Sequence, residues 1–180
     1  EGSLDLVDFG LDHGPGYDDH SDGFILEYVT GEIGHLPGVP GHLLFDAEHA
    51  LLTVADPANG VIVQLDTTTG TRGQLYLPKD VGTWRYAMDD AVLTELVGTS
   101  AGLTHPSGVA RAGDVLFVTD NADGWIYAFD AATGEEIDRL DSGRGAGALR
   151  GLLAVSQEEL WLVDAEANEV LRITPLAGAN

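Results

Sequence analysis

The sequence predicts an all-β protein assembled from repeated hairpins. Short runs rich in Val, Ile, Leu and aromatic residues recur, each bounded by Gly, Asn or Asp. The 24 glycines are spread along the chain, as expected where turns are frequent. One pattern returns at intervals typical of structural repeats: an apolar strand closed by Asp, a short tip, and a second apolar strand.

The first copy is degenerate. Leu4-Asp5-Leu6-Val7-Asp8 and Gly23-Phe24-Ile25-Leu26-Glu27-Tyr28 form its two strands, separated by a long loop over residues 9–22. The second reads Leu52-Thr53-Val54-Ala55-Asp56, tip Pro57-Ala58-Asn59-Gly60, then Val61-Ile62-Val63-Gln64-Leu65-Asp66. The third is Leu116-Phe117-Val118-Thr119-Asp120, tip Asn121-Ala122-Asp123-Gly124, then Trp125-Ile126-Tyr127-Ala128-Phe129-Asp130. The fourth is Leu160-Trp161-Leu162-Val163-Asp164, tip Ala165-Glu166-Ala167-Asn168, then Glu169-Val170-Leu171-Arg172-Ile173. Each aspartate can accept from backbone N–H groups of the turn that follows it. Asn59-Gly60 and Asp123-Gly124 tolerate the positive φ of a tight tip. Near-continuous apolar strands predict burial on both faces, so Trp125 and Trp161 are expected in the core. A strand precedes each of the last three hairpins, at residues 41–45, 106–110 and 150–155. Residues 76–104 form an irregular insertion between the second and third copies, and residues 86–96 within it fit a short helix or an extra hairpin.

The aspartates at 56, 120 and 164 are 64 and 44 residues apart, and Asp8 precedes Asp56 by 48. These spacings approximate the length of one propeller blade, and a single copy cannot bury its faces alone. The predicted architecture is one domain over residues 1–180, an all-β propeller of about four blades. It is either incomplete or completed by another chain or copy. The strings HPSGVARAGDVLFVTDNADGWIYAFDAATGEEI and VPGHLLFDAEHALLTVADPANGVIVQLDTTTG resemble NHL-type propeller repeats, and the likeness extends over residues ~1–175. Such propellers usually have six or more blades. With four copies, an opening inside a blade and no initiator Met, the chain is expected to be a piece of a longer propeller.

Charge bounds the partners. Thirty Asp and Glu against eight Lys and Arg leave a formal net charge of −22. Nucleic acid and anionic lipid repel such a chain. No apolar run reaches the ~18–20 residues of a membrane-spanning helix. The absence of cysteine excludes disulfides, thiol nucleophiles and Cys-ligated zinc. The acidity suits either work at high salt or a GC-rich genome that replaces Lys with Arg.

Two groups of residues are candidates for chemistry. The long loop gathers His13, Asp18, Asp19, His20 and Asp22, a donor set for calcium or zinc, against the plainer reading of a solvated acidic loop. His42, His105 and Arg150 stand at the starts of the three inner strands. In a propeller these positions face the channel, where ligands sit. The resemblance extends to amidating-lyase relatives of NHL proteins, which hold zinc with three histidines in Pro-His-x-Leu-like segments. Here Pro40-Gly41-His42-Leu43 is only similar, Thr104-His105-Pro106 is shifted, and Arg150 replaces the third histidine. That zinc site is not assembled within the chain. Arg150 suits a carboxylate or phosphate, or else a structural ion pair. Trp84, Arg85 and Tyr86 could form an exposed recognition element.

No GxSxG elbow, phosphate-binding loop or basic-aromatic patch is present, and Ser107 beside His105 lacks a positioned base and orienter. The balance favours a binding or scaffold module over an enzyme. Its ligand would be a protein or small molecule, and its location extracellular, periplasmic or on the surface of a prokaryotic cell. The alternative is a metal-dependent lactonase- or lyase-like propeller. Two outcomes are expected. If self-repulsion among thirty acids limits stability, the melting temperature rises from low to molar KCl, and a flat response rejects the idea. If the loop of residues 9–22 holds a divalent cation, EDTA lowers the melting temperature and His13→Ala removes that sensitivity. A chelator-insensitive melt counts against the metal.

Overall fold

The computed structural model describes residues 2–11, 14, 22–76 and 84–175. Fifteen strands and one 3₁₀ turn at Thr99–Ala101 make up the described regular structure. The strands form four sheets, and the fold is all-β of the propeller type. The chain divides into two compact units: Glu1–Ile33 with Asp66–Leu93, and Gly34–Leu65 with Thr94–Asn180.

The first unit holds sheet I, in the order β1 (Gly2–Asp8), β2 (Phe24–Ile33), β7 (Trp84–Asp89), β6 (Thr71–Tyr76). β1 and β2 pair antiparallel from Leu4↔Tyr28 to Asp8↔Phe24, the hairpin expected of the degenerate copy. The register then slips to Gly2↔Ile33, and the extra residues include Val29 and Gly31 at positive φ. β2 pairs with β7 in parallel, whereas β6 and β7 are antiparallel. Arg85 ties this sheet together through Glu27 at 3.2 Å and Asp5 at 3.8 Å. The Arg72 guanidinium lies over both the Phe24 and Tyr86 rings, at 4.7 and 4.6 Å from their centroids.

The second unit contains three sheets. Sheet II is ordered β3 (Leu43–Asp46), β4 (Leu51–Asp56), β5 (Val61–Asp66), β8 (Val92–Val97). Sheet III is the antiparallel meander β9 (Pro106–Ala112), β10 (Val115–Asp120), β11 (Trp125–Asp130), β12 (Glu136–Asp141). Sheet IV has three described strands, β13 (Leu149–Ser156), β14 (Glu159–Asp164) and β15 (Glu169–Ile173). The inner strands read from sequence are β3, β9 and β13. Residues 86–96 make neither a helix nor a hairpin of their own: β7 joins sheet I and β8 forms the fourth strand of sheet II.

Sheets II, III and IV stack face to face. Ala55, Ile62 and Val97 of sheet II pack with Val109, Leu116, Val118, Tyr127 and Phe129 of sheet III. On the other face of sheet III, Phe117 and Ile126 pack with Leu149, Leu160 and Leu162 of sheet IV. Sheet III is therefore apolar on both sides, as its continuous runs predict. β14 differs. Leu160 and Leu162 are buried, but Trp161 and Val163 point the other way and are exposed. The expectation of a core Trp161 fails here, because alternation sends it to the uncovered face.

Asp56, Asp120 and Asp164 are buried and each does two jobs. Asp56 accepts from the backbone and side-chain N–H of Asn59 within its own turn, and from the Gly34 N–H in the segment leading to β3. Asp120 accepts from Ala122 N–H in its turn and from Thr104 and His105 N–H before β9. Asp164 accepts from Glu166 and Ala167 N–H, and its other oxygen lies 3.2 Å from Arg144 before β13. One carboxylate thus closes a hairpin and holds the chain entering its sheet.

The tips follow one rule. Gly60, Gly124 and Asn168, each four residues past an aspartate, all have positive φ. At Gly60 and Gly124 a second constraint applies. A Cβ on Gly60 would lie 2.9 Å from the Leu103 carbonyl, and one on Gly124 would collide with the Arg144 carbonyl. Each tip therefore abuts the segment entering the next sheet.

Asp120 is fully buried, so Asp120→Ala leaves three backbone N–H groups without an acceptor. A buried unsatisfied group costs roughly 1–3 kcal/mol, but these three N–H groups are only part-buried and water reaches some of them, so the expected loss is about 2–4 kcal/mol, above the ~0.5–2 kcal/mol of an ordinary lost cap. Asp120→Asn, which keeps one acceptor oxygen, loses less. Urea unfolding checks this, and a loss under about 1 kcal/mol for Asp120→Ala rejects the dual role.

Candidate functional site

The ends of β3, β9 and β13 are held together by a backbone and hydroxyl network. The His42 N–H donates to the Ser107 carbonyl at 3.2 Å, and its carbonyl accepts from Ala55 N–H at 3.0 Å. The His105 carbonyl accepts from Asn121 N–H at 2.9 Å. Ser107, fully buried, lies within 3.2 Å of the Thr119 and Leu149 carbonyls through its hydroxyl. The Asn121 side-chain amide also donates to the Leu149 carbonyl, at 2.8 Å. Ser107 thereby crosslinks β9 to β10 and β13.

Two of the three predicted ligand-binding residues meet the same neighbourhood. The His42 ring lies against Gly151, where Cε1 would be 3.5 Å from an added Cβ. Burial pushes the His42 imidazole pKa down, which keeps it neutral at pH 7. Arg150, next in chain to Gly151, reaches back to the segment entering sheet II and donates from Nη1 to the Gly38 carbonyl. Its Nε is buried without a hydrogen-bond partner. His105 stands at the start of β9, its backbone fixed by Asp120 and Asn121.

The structural ion pair weighed for Arg150 is not formed among the described residues. The unit's other arginines do pair: Arg111 with Asp46 at 2.6 Å, Arg139 with Glu136 at 2.7 Å, Arg144 with Asp164 at 3.2 Å and Arg172 with Glu159 at 2.9 Å. Among the described residues Arg150 has only the Gly38 carbonyl.

Of the predicted metal ligands, His13, Asp18, Asp19 and His20 lie outside the described residues. Asp22 is described, and its carboxylate accepts from the Leu11 N–H at 2.9 Å. Among the described residues no group of three or more His, Asp or Glu side chains could hold a metal ion.

A polar cluster went unnoticed in the sequence. Asp46 accepts from Arg111 and lies 2.8 Å from the His49 ring, at the edge of a 560 Å³ cleft lined also by Gln64 and Asp114. The hydrogen bond from the His49 ring, helped by the His49 and Glu48 backbone N–H groups, holds the Asp46 carboxyl below the usual range against some desolvation. The Asp-x-x-His spacing was the available signal. The cluster neutralises itself and reads as a staple between β3 and β9.

No family model matches this chain, and no curated protein matches it. Among solved structures, the β-propeller domain of Cps50 (Swd1) from Myceliophteria thermophila superposes with a TM-score of 0.50 at 10% identity, covering 75% of this chain. This chain spans 38% of that one. The computationally designed proteins Ika8 and Ika4 match with TM-scores of 0.42 and 0.40, each at 16% identity. The Ika8 match covers 86% of this chain and 54% of that protein, and the Ika4 match 81% and 99%. The likeness to the Cps50 domain supports the propeller fold.

Proposed function

We propose that the chain is a propeller-type binding module of the NHL kind whose ligand, a small molecule or a protein segment, carries a carboxylate. The ligand is met at the inner strands by Arg150, with His42 beside it and His105 at the start of the neighbouring strand. A single observation carries this reading: Arg150 is the arginine of its unit without a carboxylate partner among the described residues. A guanidinium held by one carbonyl keeps a fork of donors for a planar anion.

The surrounding −22 charge repels anions at long range, but exposed charges are screened beyond about 8 Å at physiological salt. A ligand pairing with Arg150 is then chosen by short-range geometry. Export to the periplasm, cell surface or medium of a prokaryote is part of the proposal, and a cysteine-free chain is compatible with an oxidising compartment. The loop of residues 9–22 is a proposed divalent-cation site, supported by its His and Asp donors. A lactonase- or lyase-like activity has no comparable support among the described residues.

Calorimetric titration with citrate and succinate tests the Arg150 site. Binding is expected in 0.15 M salt and is expected to weaken at least tenfold in Arg150→Met, with little change in melting temperature. Equal binding by Arg150→Met, or no binding of either acid by the unmodified chain, rejects the reading.

A further inference from the structure

The two sheet-on-sheet interfaces of the second unit open into clefts at the same end, where the β9–β10 and β13–β14 turns lie. The cleft between sheets III and IV has an apolar floor of Phe117, Ile126, Ala128 and Leu160. The cleft between sheets II and III does not. Phe117 is the second residue of Leu-Phe-Val-Thr-Asp, and the second copy has Thr53 there, in Leu-Thr-Val-Ala-Asp. Ala128 is the fourth residue of the strand that follows, and the second copy has Gln64. Thr53 pairs with Leu44, which packs toward sheet III, so both face this cleft. Thr53 is buried, and its hydroxyl accepts from the Gln64 amide at 3.1 Å. A polar pair thus replaces the phenylalanine and alanine of the next interface. Departures from a repeat's own rule concentrate at functional sites.

The cleft holds 560 Å³, within the ~300–1,000 Å³ of small-molecule sites. All its walls belong to the second unit, and Arg150 is not among them. The Asp46–Arg111 pair spans β3 and β9 and fixes its mouth. Around that pair, both kinds of hydrogen-bonding group remain open among the described residues. Arg111 Nη2 and the Thr53 hydroxyl hydrogen can donate. The Gln64 side-chain oxygen, His49 Nε2 and the Glu48 and Asp114 carboxylates can accept. Leu44, Leu116 and Ala131 supply an apolar wall.

This mixture selects against ions. An anion meets the Glu48 and Asp114 carboxylates, which no cation offsets among the described residues. A cation meets the Arg111 guanidinium and leaves the donors unused. Hydroxyl groups donate and accept at once, so a ligand that carries several of them uses both sets. We propose that this cleft binds a small neutral saccharide. Its hydroxyls are held by Gln64, Thr53 and Arg111, and its C–H face lies on Leu44 and Leu116. The site is additional to the one at Arg150 and does not rest on it.

The experiment is calorimetric titration of the full chain with glucose, galactose, mannose and trehalose, each to 50 mM. At least one is expected to bind. Its dissociation constant is expected to change less than twofold between 0.05 and 1 M KCl, because the ligand brings no charge to screen. The double variant Thr53→Val/Gln64→Leu gives the cleft an apolar lining like its neighbour's. It is expected to weaken binding at least tenfold, with the melting temperature unchanged or higher, since both partners of one hydrogen bond are replaced together. Should that variant unfold, Gln64→Ala, which matches the residue at the aligned position 128, supplies the same readout. No binding of any of the four sugars overturns the proposal. So does binding that survives in the folded variants, or that weakens steeply with salt. 1,4-Diaminobutane is titrated beside them, and its binding in place of every sugar overturns the proposal in favour of a cation. Citrate binding at Arg150 is measured separately, so the two proposals can fail independently.

Discussion

The second unit depends on an aspartate whose two oxygens face different pieces of chain. One oxygen accepts from the turn just after β4, β10 or β14, and the other reaches the segment about to enter the same sheet. A buried carboxylate is costly unless its lone pairs are filled. Here backbone N–H groups, or an arginine at Asp164, fill them. The same donors would otherwise be orphans in loops too irregular to pair with themselves. Local turn closure and the placement of a strand tens of residues away in space therefore rise and fall together. That coupling explains why an acidic side chain recurs in the interior of a protein whose other acids are mostly on its surface.

Much of this was legible because it is periodic. Asp56, Asp120 and Asp164 announce themselves by spacing, and the strands around them alternate or run apolar as burial requires. Residues 41–45, 106–110 and 150–155 were identifiable as inner strands because they sit at a constant offset from those aspartates. What was not legible depends on partners chosen at long range. β7 and β8 lie in the irregular insertion, where residues 86–96 fit a short helix or an extra hairpin, and nothing local says that β7 runs parallel to β2 while β8 completes sheet II. Trp161 occupies the same place in its strand as Phe117 does in β10, yet Phe117 meets a neighbouring sheet and Trp161 does not. A one-dimensional pattern cannot register whether a face is covered.

The candidate site shows the same division. Positions 42, 105 and 150 follow from repeat alignment. The lack of a carboxylate on Arg150 follows only from geometry, since thirty acids make a partner the natural expectation. The economy of cations sharpens the contrast. Arg111, Arg139, Arg144 and Arg172 each fasten two elements or brace a strand. With so few positive charges, one held among the described residues by a carbonyl alone is a local exception to the pairing of its neighbours.

The residue four places past each buried aspartate, glycine at 60 and 124 and asparagine at 168, has a consequence for how such an array can be rearranged. Gly60 and Gly124 leave no room for a side chain beneath the adjoining carbonyl, whereas Asn168 carries one. The repeats are therefore not freely interchangeable. Transplanting the fourth copy into the place of the second or third would drive an asparagine into a neighbour's backbone, and a single change to glycine would make the graft admissible. Position in the series is thus recorded in one small residue rather than in the whole strand pattern, which makes shuffling of these units a tractable route to altered arrays.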